Sequence, residues 1–304
     1  MKGNPPSALL DIHDLDAVWA EVKHLLLLIS PRLDLSPIET AYDDLLRLFS
    51  GHYPGYRACN TRYHDIHHST DTLVAMVRLM HGAHTEGRHF TQQELRLAPI
   101  AAIFHDSGYI QTADDTKGTG AKYTACHVKR SIEFLSSYLL AHGFPQEYIP
   151  AVTPILDCTR IDIDISKIDF PSDNSELLGQ MLGTGDILSQ MADREYLEKL
   201  LFLFYEFKEG KIRGFTNEFD LLKKTAGFYA QTKKRLNDGL GGVNRFMRVH
   251  FRTRWGLDRD LYAEAIDRHL AYLQQLTDQH HADYREMLNR GRLVQKLRSI
   301  EKGQ

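Results

Sequence analysis

Leu95-Arg96-Leu97-Ala98-Pro99-Ile100-Ala101-Ala102-Ile103-Phe104-His105-Asp106-Ser107-Gly108-Tyr109 decides the class of fold. Its apolar residues recur at three- and four-residue spacing up to Phe104, which predicts a buried helix that stops abruptly at a histidine, an aspartate and a glycine. The same spacing runs through Leu15 to Leu28, Thr72 to Met80 and Val128 to Leu140. Glu195 to Phe207 carries a wide apolar face, and Leu261 to Leu293 reads as one long helix or two. The nearest thing to strand alternation is Arg160 to Ile168. Its Asp162 and Asp164, followed by Pro171-Ser172-Asp173, suit an extended loop with a short strand at most. Breaks are expected at Pro145 to Pro150 and Gly239 to Gly242. The predicted fold is all-α, a helical bundle with additional helices at both ends.

Composition narrows the function. With 42% hydrophobic and 25% charged residues over 304 positions, the chain has the balance of a globular protein with ample length for a large core. Forty acidic residues against 37 basic ones leave a net charge of −3, so no global field draws the chain to nucleic acid or to an anionic membrane. The longest early apolar run, Leu25 to Ile29, is far short of the roughly 20 residues a membrane span needs. No signal-peptide pattern is visible, and Cys59, Cys126 and Cys158 form no CxxC pair, which argues against a disulfide framework or a zinc finger. A cytoplasmic setting is expected. The sixteen histidines are an excess that asks for a reason, because imidazole is the commonest metal ligand.

Three segments carry the chemistry. Tyr63-His64-Asp65-Ile66-His67-His68-Ser69-Thr70-Asp71 precedes the run Thr72 to Met80. If it is already helical, His64 and His68 stack on one face with Asp71 close by, although such a pair is also compatible with a solvated face. His105-Asp106 ends the Leu95 to Phe104 helix. A carboxylate at the end of a core helix needs a cation or several donors, since burying it alone costs several kcal/mol; a helix-terminal polar pair is the plainer alternative. Asp186, in Leu182-Gly183-Thr184-Gly185-Asp186-Ile187-Leu188, is a single acid in an apolar stretch and could equally be a helix N-cap. The three together, each beside an apolar helix, point to a site of imidazoles and carboxylates. Such a set suits zinc, iron, manganese or magnesium, and a bridging carboxylate allows one or two ions.

This ordered set resembles the HD superfamily of metal-dependent phosphohydrolases, and within it the catalytic domain of cyclic-nucleotide phosphodiesterases, whose first motif runs Tyr-His-Asn-x-x-His-Ala-x-Asp-Val. Tyr63, His64, His68 and Asp71 match it, while Asp65, Ser69 and Thr72 depart from it. The likeness covers roughly residues 55 to 230. It implies that His68, His105, Asp106 and Asp186 are the ligands of one metal and that His64 is the general acid. It also implies a phosphoester or nucleotide substrate, attacked by metal-activated hydroxide. On that reading the chain divides into a helical extension over 1–35, an HD-type domain over 36–240 and a C-terminal helical segment over 241–304. A homodimer is compatible with it. His127, in Cys126-His127-Val128-Lys129, matches a helix that carries a second-metal histidine in some branches; a phosphate contact or a plain helix start are the other readings. His67 stands outside the family's ligand positions.

The likeness thins toward the substrate. Where the cyclic-nucleotide enzymes place a purine-gripping glutamine three residues before a phenylalanine, this chain has Lys224-Thr225-Ala226-Gly227-Phe228. Phe228 is expected either to stack on a base or to pack in the core, and Thr225 lacks the two-sided amide. Arg245, Arg248, Arg252 and Arg254 beside Trp255 are read as a solvated face, a subunit contact or a grip on phosphates. Rival readings of the same ligands are a di-iron oxygenase and a regulatory HD module without catalysis. Ser107-Gly108-Tyr109, in place of an acidic pair after His-Asp, disfavours guanosine-tetraphosphate hydrolysis.

Overall fold

A computed structural model describes residue 6 and residues 9–279 and 282–303. Among the described residues it contains thirteen α-helices joined by turns and short 3₁₀ segments, and no strand beyond one isolated antiparallel bridge between Tyr56 and Thr112. The fold is all-α, as the spacing predicts. In chain order the helices are α1 (Leu15–Ile29), α2 (Ser36–Ser50), α3 (Ile66–Thr85), α4 (Gln92–Phe104), α5 (His127–Ala141), α6 (Ile149–Asp157) and α7 (Asp173–Ala192). They continue with α8 (Tyr196–Glu209), α9 (Glu218–Lys234), α10 (Arg245–Trp255), α11 (Leu261–Gln279), α12 (Tyr284–Met287) and α13 (Leu293–Gly303). Arg160 to Ile168 is a turn followed by a 3₁₀ segment at Ile165–Lys167. Leu261 to Leu293 is broken into separate helices. The Pro145 break is one turn of 3₁₀ helix, and Pro150 already sits in the first turn of α6, where its missing N–H has no helical partner to lose. Among the described residues no helix is long and apolar enough to cross a membrane.

α3 is the axis of the bundle. Every residue from His68 to Ala83 is buried, which requires neighbours on all sides, and α1, α4, α7 and α10 supply them. The large apolar residues of this stretch, Leu73, Met76, Leu79 and Met80 among them, are fully enclosed. Each such side chain contributes on the order of 1.5–3 kcal/mol of hydrophobic stabilisation. A hydrogen bond of 3.0 Å between Thr72 and Ser189 ties α3 to α7 inside the core. α4 starts on a capping box, with Thr91 accepting from the Glu94 N–H and the Glu94 carboxylate accepting from the Thr91 N–H. That box fixes where the helix begins, and its thirteen residues then carry the chain inward to His105.

Close backbone contact sets α5 against the end of α4. A Cβ at Gly108 would lie 1.9 Å from the His127 carbonyl oxygen, so only glycine lets the turn after Asp106 pass beneath the start of α5. The contact is pinned from both sides. The Gly108 N–H donates to Ser131 Oγ at 2.9 Å, and the Arg130 guanidinium donates to the carbonyls of Gly108 and Ile110 at 2.7 and 3.0 Å. Gly108→Ala therefore overpacks backbone against backbone and is expected to cost about 1–3 kcal/mol in urea denaturation, with His127 displaced. Wild-type stability in that variant would contradict the close approach.

Candidate metal centre

Four helix segments deliver the polar residues to one buried volume. Asp65 is the N-cap of α3, accepting from the His68 N–H at 2.9 Å, so His68 sits in the first turn with its backbone locked. His64 therefore precedes the helix, and the helical stacking of His64 on His68 does not occur; their rings are 6.0 Å apart and nearly perpendicular. His105 is the C-cap of α4, with Asp106 next in the chain. His127 opens α5. Asp186 lies in the interior of α7, which removes the N-cap reading of that acid.

The geometry is tight. His68 Nε2 stands 3.2 Å from Asp106 Oδ2, 3.2 Å from Asp186 Oδ1 and 3.3 Å from His105 Nε2. His105 Nε2 is 3.4 Å from Asp106 Oδ2 and 3.8 Å from Asp186 Oδ1. His68, His105 and Asp106 are almost fully enclosed, and one ligand atom from each lies within 4.8 Å of the others, a spacing that can hold a metal ion. His127 Nε2 lies 3.7 Å from the other oxygen of the same carboxylate, Asp106 Oδ1. Asp106 thus turns one oxygen to His68 and His105 and the other to His127.

Chemistry says whether these donors fit a cation. His105 Nδ1 is 2.8 Å from the Ala102 carbonyl and His127 Nδ1 is 2.8 Å from the Thr124 carbonyl. A carbonyl accepts only from an N–H, so in the neutral rings both Nε2 atoms carry lone pairs aimed inward. Asp106 Oδ2 is shut off from solvent and makes no well-aligned hydrogen bond, although His68 Nε2 lies 3.2 Å and His105 Nε2 3.4 Å away. Burial pushes the Asp106 carboxyl up, yet the imidazoles of His105, His68 and His64 outweigh it and hold the group well below the carboxylate range. Burial likewise pulls the His68 imidazole down, and the Asp106 and Asp186 carboxylates overcome this and push it up to about 10. Without a metal, His68 is itself the cation that the two carboxylates demand.

Around these donors lie residues that fix them. Gln190, one turn after Asp186, donates its amide N–H to Asp186 Oδ1 at 2.5 Å and accepts the Tyr63 hydroxyl at 2.8 Å. Glu206 of α8 is buried; its Oε1 accepts the backbone N–H groups of Arg62 and Tyr63 and its Oε2 faces His64 Nδ1, each at 2.7 Å. The carboxylate therefore orients the His64 ring and leaves its Nε2 facing the Tyr109 hydroxyl at 3.4 Å. Burial pulls the His64 imidazole down, and the Glu206 charge and hydrogen bond outweigh it, so its pKa stands above the ordinary value. The Tyr109 ring stacks on both His64 and His127, at 4.2 and 4.5 Å, and the two imidazoles are themselves 6.2 Å apart. Glu206, Tyr109 and Gln190 were not legible as site residues from spacing. The one available signal was Glu206 itself, a lone acid in Leu200-Leu201-Phe202-Leu203-Phe204-Tyr205-Glu206-Phe207.

The remaining expectations fall elsewhere. Thr225 is buried and donates its hydroxyl to the Leu221 carbonyl at 2.9 Å, while Phe228 is 48% exposed. Among the described residues neither contacts the histidine–aspartate group. Of the arginines, Arg248 and Arg252 pair with Asp258, Arg254 with Glu21, and Arg245 donates to the carbonyls of Gly241 and Gly242. Each has a partner within the chain. His67 packs edge-on against His13 at 4.8 Å, away from the ligand atoms.

Two outcomes follow. Asp106→Ala is expected to abolish metal retention measured by elemental analysis, since the one carboxylate between His68, His105 and His127 has no substitute nearby; full occupancy would contradict the site. A metal must also displace the proton on His68, whose folded pKa lies near 10, so apparent affinity rises as that proton becomes easier to lose. Binding isotherms between pH 6 and 9 are expected to tighten by about tenfold per pH unit, and a flat profile would contradict a protonated His68.

Comparison with known proteins gives one family: a family model described as Npun_R2479-like matches residues 114–241. That segment is less than half of the chain. It holds His127, Asp186 and Glu206, and it excludes His64, His68, His105 and Asp106. No curated protein and no solved structure matches the chain.

Proposed function

We propose that the protein is a metal-dependent hydrolase of phosphoesters, acting on a small nucleotide-like or other phosphodiester. His68, His105, Asp106 and Asp186 would hold the ion, and His127, facing the second oxygen of Asp106, would serve a second one. The observation that supports hydrolysis most is the His64–Glu206 pair at 2.7 Å. Breaking a phosphoester expels an alkoxide, a poor leaving group unless a proton arrives with it, and His64 is the group held ready to deliver one. Oxygen activation by a di-iron centre on the same ligands has no comparable need for a carboxylate-oriented acid beside the metal, which favours the hydrolytic reading.

A divalent ion, when bound, supplies positive charge for the phosphoryl oxygens and makes water acidic enough to attack near neutral pH. The chain's own residues account for the rest. Glu206 accepts the His64 Nδ1 proton and keeps the Nε2 side turned to the site, where it gives its proton to the departing oxygen. Because the ring is fixed before substrate arrives, little reorganisation is left for the transition state. Tyr109, whose phenol stays protonated because burial and the Asp106 charge push it well above its ordinary range, closes one wall and offers a hydroxyl beside His64. Selectivity for a purine ring is not expected from Thr225, whose hydroxyl is engaged by its own helix.

The test is a leaving-group series. His64→Asn is expected to retain metal and to lose about 10²–10⁴-fold in kcat on alkyl phosphodiesters. The loss should shrink markedly on a nitrophenyl phosphodiester, whose leaving group departs unprotonated. Glu206→Gln should fall in the same direction by a smaller factor. Equal losses on both substrate types would contradict the acid role, and absence of activity on every phosphoester with metal bound would contradict the function.

A further inference from the structure

A second cavity, of about 570 Å³, opens where the first turns of α2 and α4 meet the end of α5 and the loop that follows it. Its size lies within the roughly 300–1,000 Å³ of small-molecule sites. It is separate from the metal centre. Arg96 in its wall and His105 at the metal are nine residues apart on α4, about 13 Å along the helix axis.

The walls have a definite chemistry. Tyr138, Phe144 and Tyr148 supply aromatic surface, and the His142 ring is stacked on Tyr138 at 3.8 Å. His142 is held rigid: its Nδ1 lies 2.8 Å from the Tyr138 carbonyl and its Nε2 lies 3.3 Å from Asp44. Asp44 is itself saturated by Arg47 at 2.9 Å and the Tyr138 hydroxyl at 3.2 Å, so its charge is consumed behind the wall. Arg96 is the opposite case. Its carboxylate neighbour, the largely exposed Asp34, faces it with Oδ2 across 3.7 Å while Oδ1 takes the Ser36 N–H and hydroxyl, and the buried Arg96 Nε has no hydrogen-bond partner. Gln93 and Tyr148 likewise carry no side-chain hydrogen bond among the described residues.

We infer that this cavity binds a small aromatic anion, a planar ring bearing a phosphate or carboxylate, with the acid group on Arg96 and Gln93 and the ring between Tyr148, Phe144 and the Tyr138–His142 stack. Guanidinium pairs with either oxyanion through parallel N–H donors, and the aromatic walls set the preference for a flat ligand. The site is noncatalytic, since it holds no general acid or metal-ligand set. It lies on the helix that ends in His105, and Tyr138 packs against Phe104, the residue before it, at 4.6 Å.

The probes are phenyl phosphate, benzoate and uncharged phenol, titrated into EDTA-treated protein and followed by calorimetry and amide NMR. Phenyl phosphate and benzoate are expected to bind at millimolar concentration or tighter and to shift amides of α2, α4 and the 142–148 loop. Phenol should bind at least about tenfold more weakly. Arg96→Gln should weaken both anions by a similar factor, Arg96→Lys should restore part of the loss, and Asp106→Ala should leave binding unchanged. Binding that survives Arg96→Gln, that disappears in Asp106→Ala, that is equal for phenol, or that is absent at 10 mM of either anion would each overturn the proposal. Because the titration is metal-free and reads no turnover, its outcome is independent of the hydrolase reading.

Discussion

Two carboxylates face two imidazoles at 3.2 to 3.8 Å in the centre of an apolar bundle, and the placement of the surrounding helices follows from that constraint. Enclosing a carboxylate without compensation costs several kcal/mol, against a total folding stability of about 5–15 kcal/mol for a typical domain. Two of them in one volume would threaten the fold unless positive charge is present at all times. Protonation of His68 answers that need in the free protein, and the geometry offers the same place to a divalent ion. The site is therefore a compensated defect in the core, with its negative charge balanced by a proton on His68.

What holds this arrangement is mostly backbone. Asp65 caps α3 and so fixes His68; the capping box at Thr91 sets the start of α4 and thereby its end at His105; Gly108 lets α5 bring His127 against the same carboxylate. Side chains then fix orientation. Carbonyls at Ala102 and Thr124 fix the tautomers of His105 and His127, Gln190 holds Asp186, and Glu206 holds His64. Each partner comes from within a turn of the residue it orients, except Glu206, which reaches across from α8. That exception marks His64 as a residue whose ring direction matters more than its packing requires.

The all-α fold was legible because helical spacing is a local property, and Leu95 to Phe104 or Val128 to Leu140 display it without help from distant residues. His105, Asp106 and Asp186 were legible for the opposite reason, as acids and imidazoles where an apolar run predicts none. The start of α3 was readable as well, since Asp65 is an N-cap residue three positions before His68, but the repeat of histidines drew the helix back to His64. Glu206 stood out only as a lone acid in an apolar run, and its role was not legible because it lies in a contact with a residue 142 positions away, which no spacing rule encodes. The arginines after Lys233 suggested an anion grip, whereas Arg248 and Arg252 share Asp258, Arg254 pairs with Glu21 and Arg245 is turned onto backbone carbonyls. Charge in a sequence says nothing of its counter-charge in space.

The central claim is that this cluster is a metal centre, and anomalous diffraction tests it most directly. Crystals grown with manganese or zinc, measured on either side of the absorption edge, are expected to give a difference peak about 2.0–2.3 Å from the Nε2 atoms of His68 and His105 and from carboxylate oxygens of Asp106 and Asp186. An absent peak, or one bound only at surface histidines while His68 stays paired to both aspartates, would contradict the account.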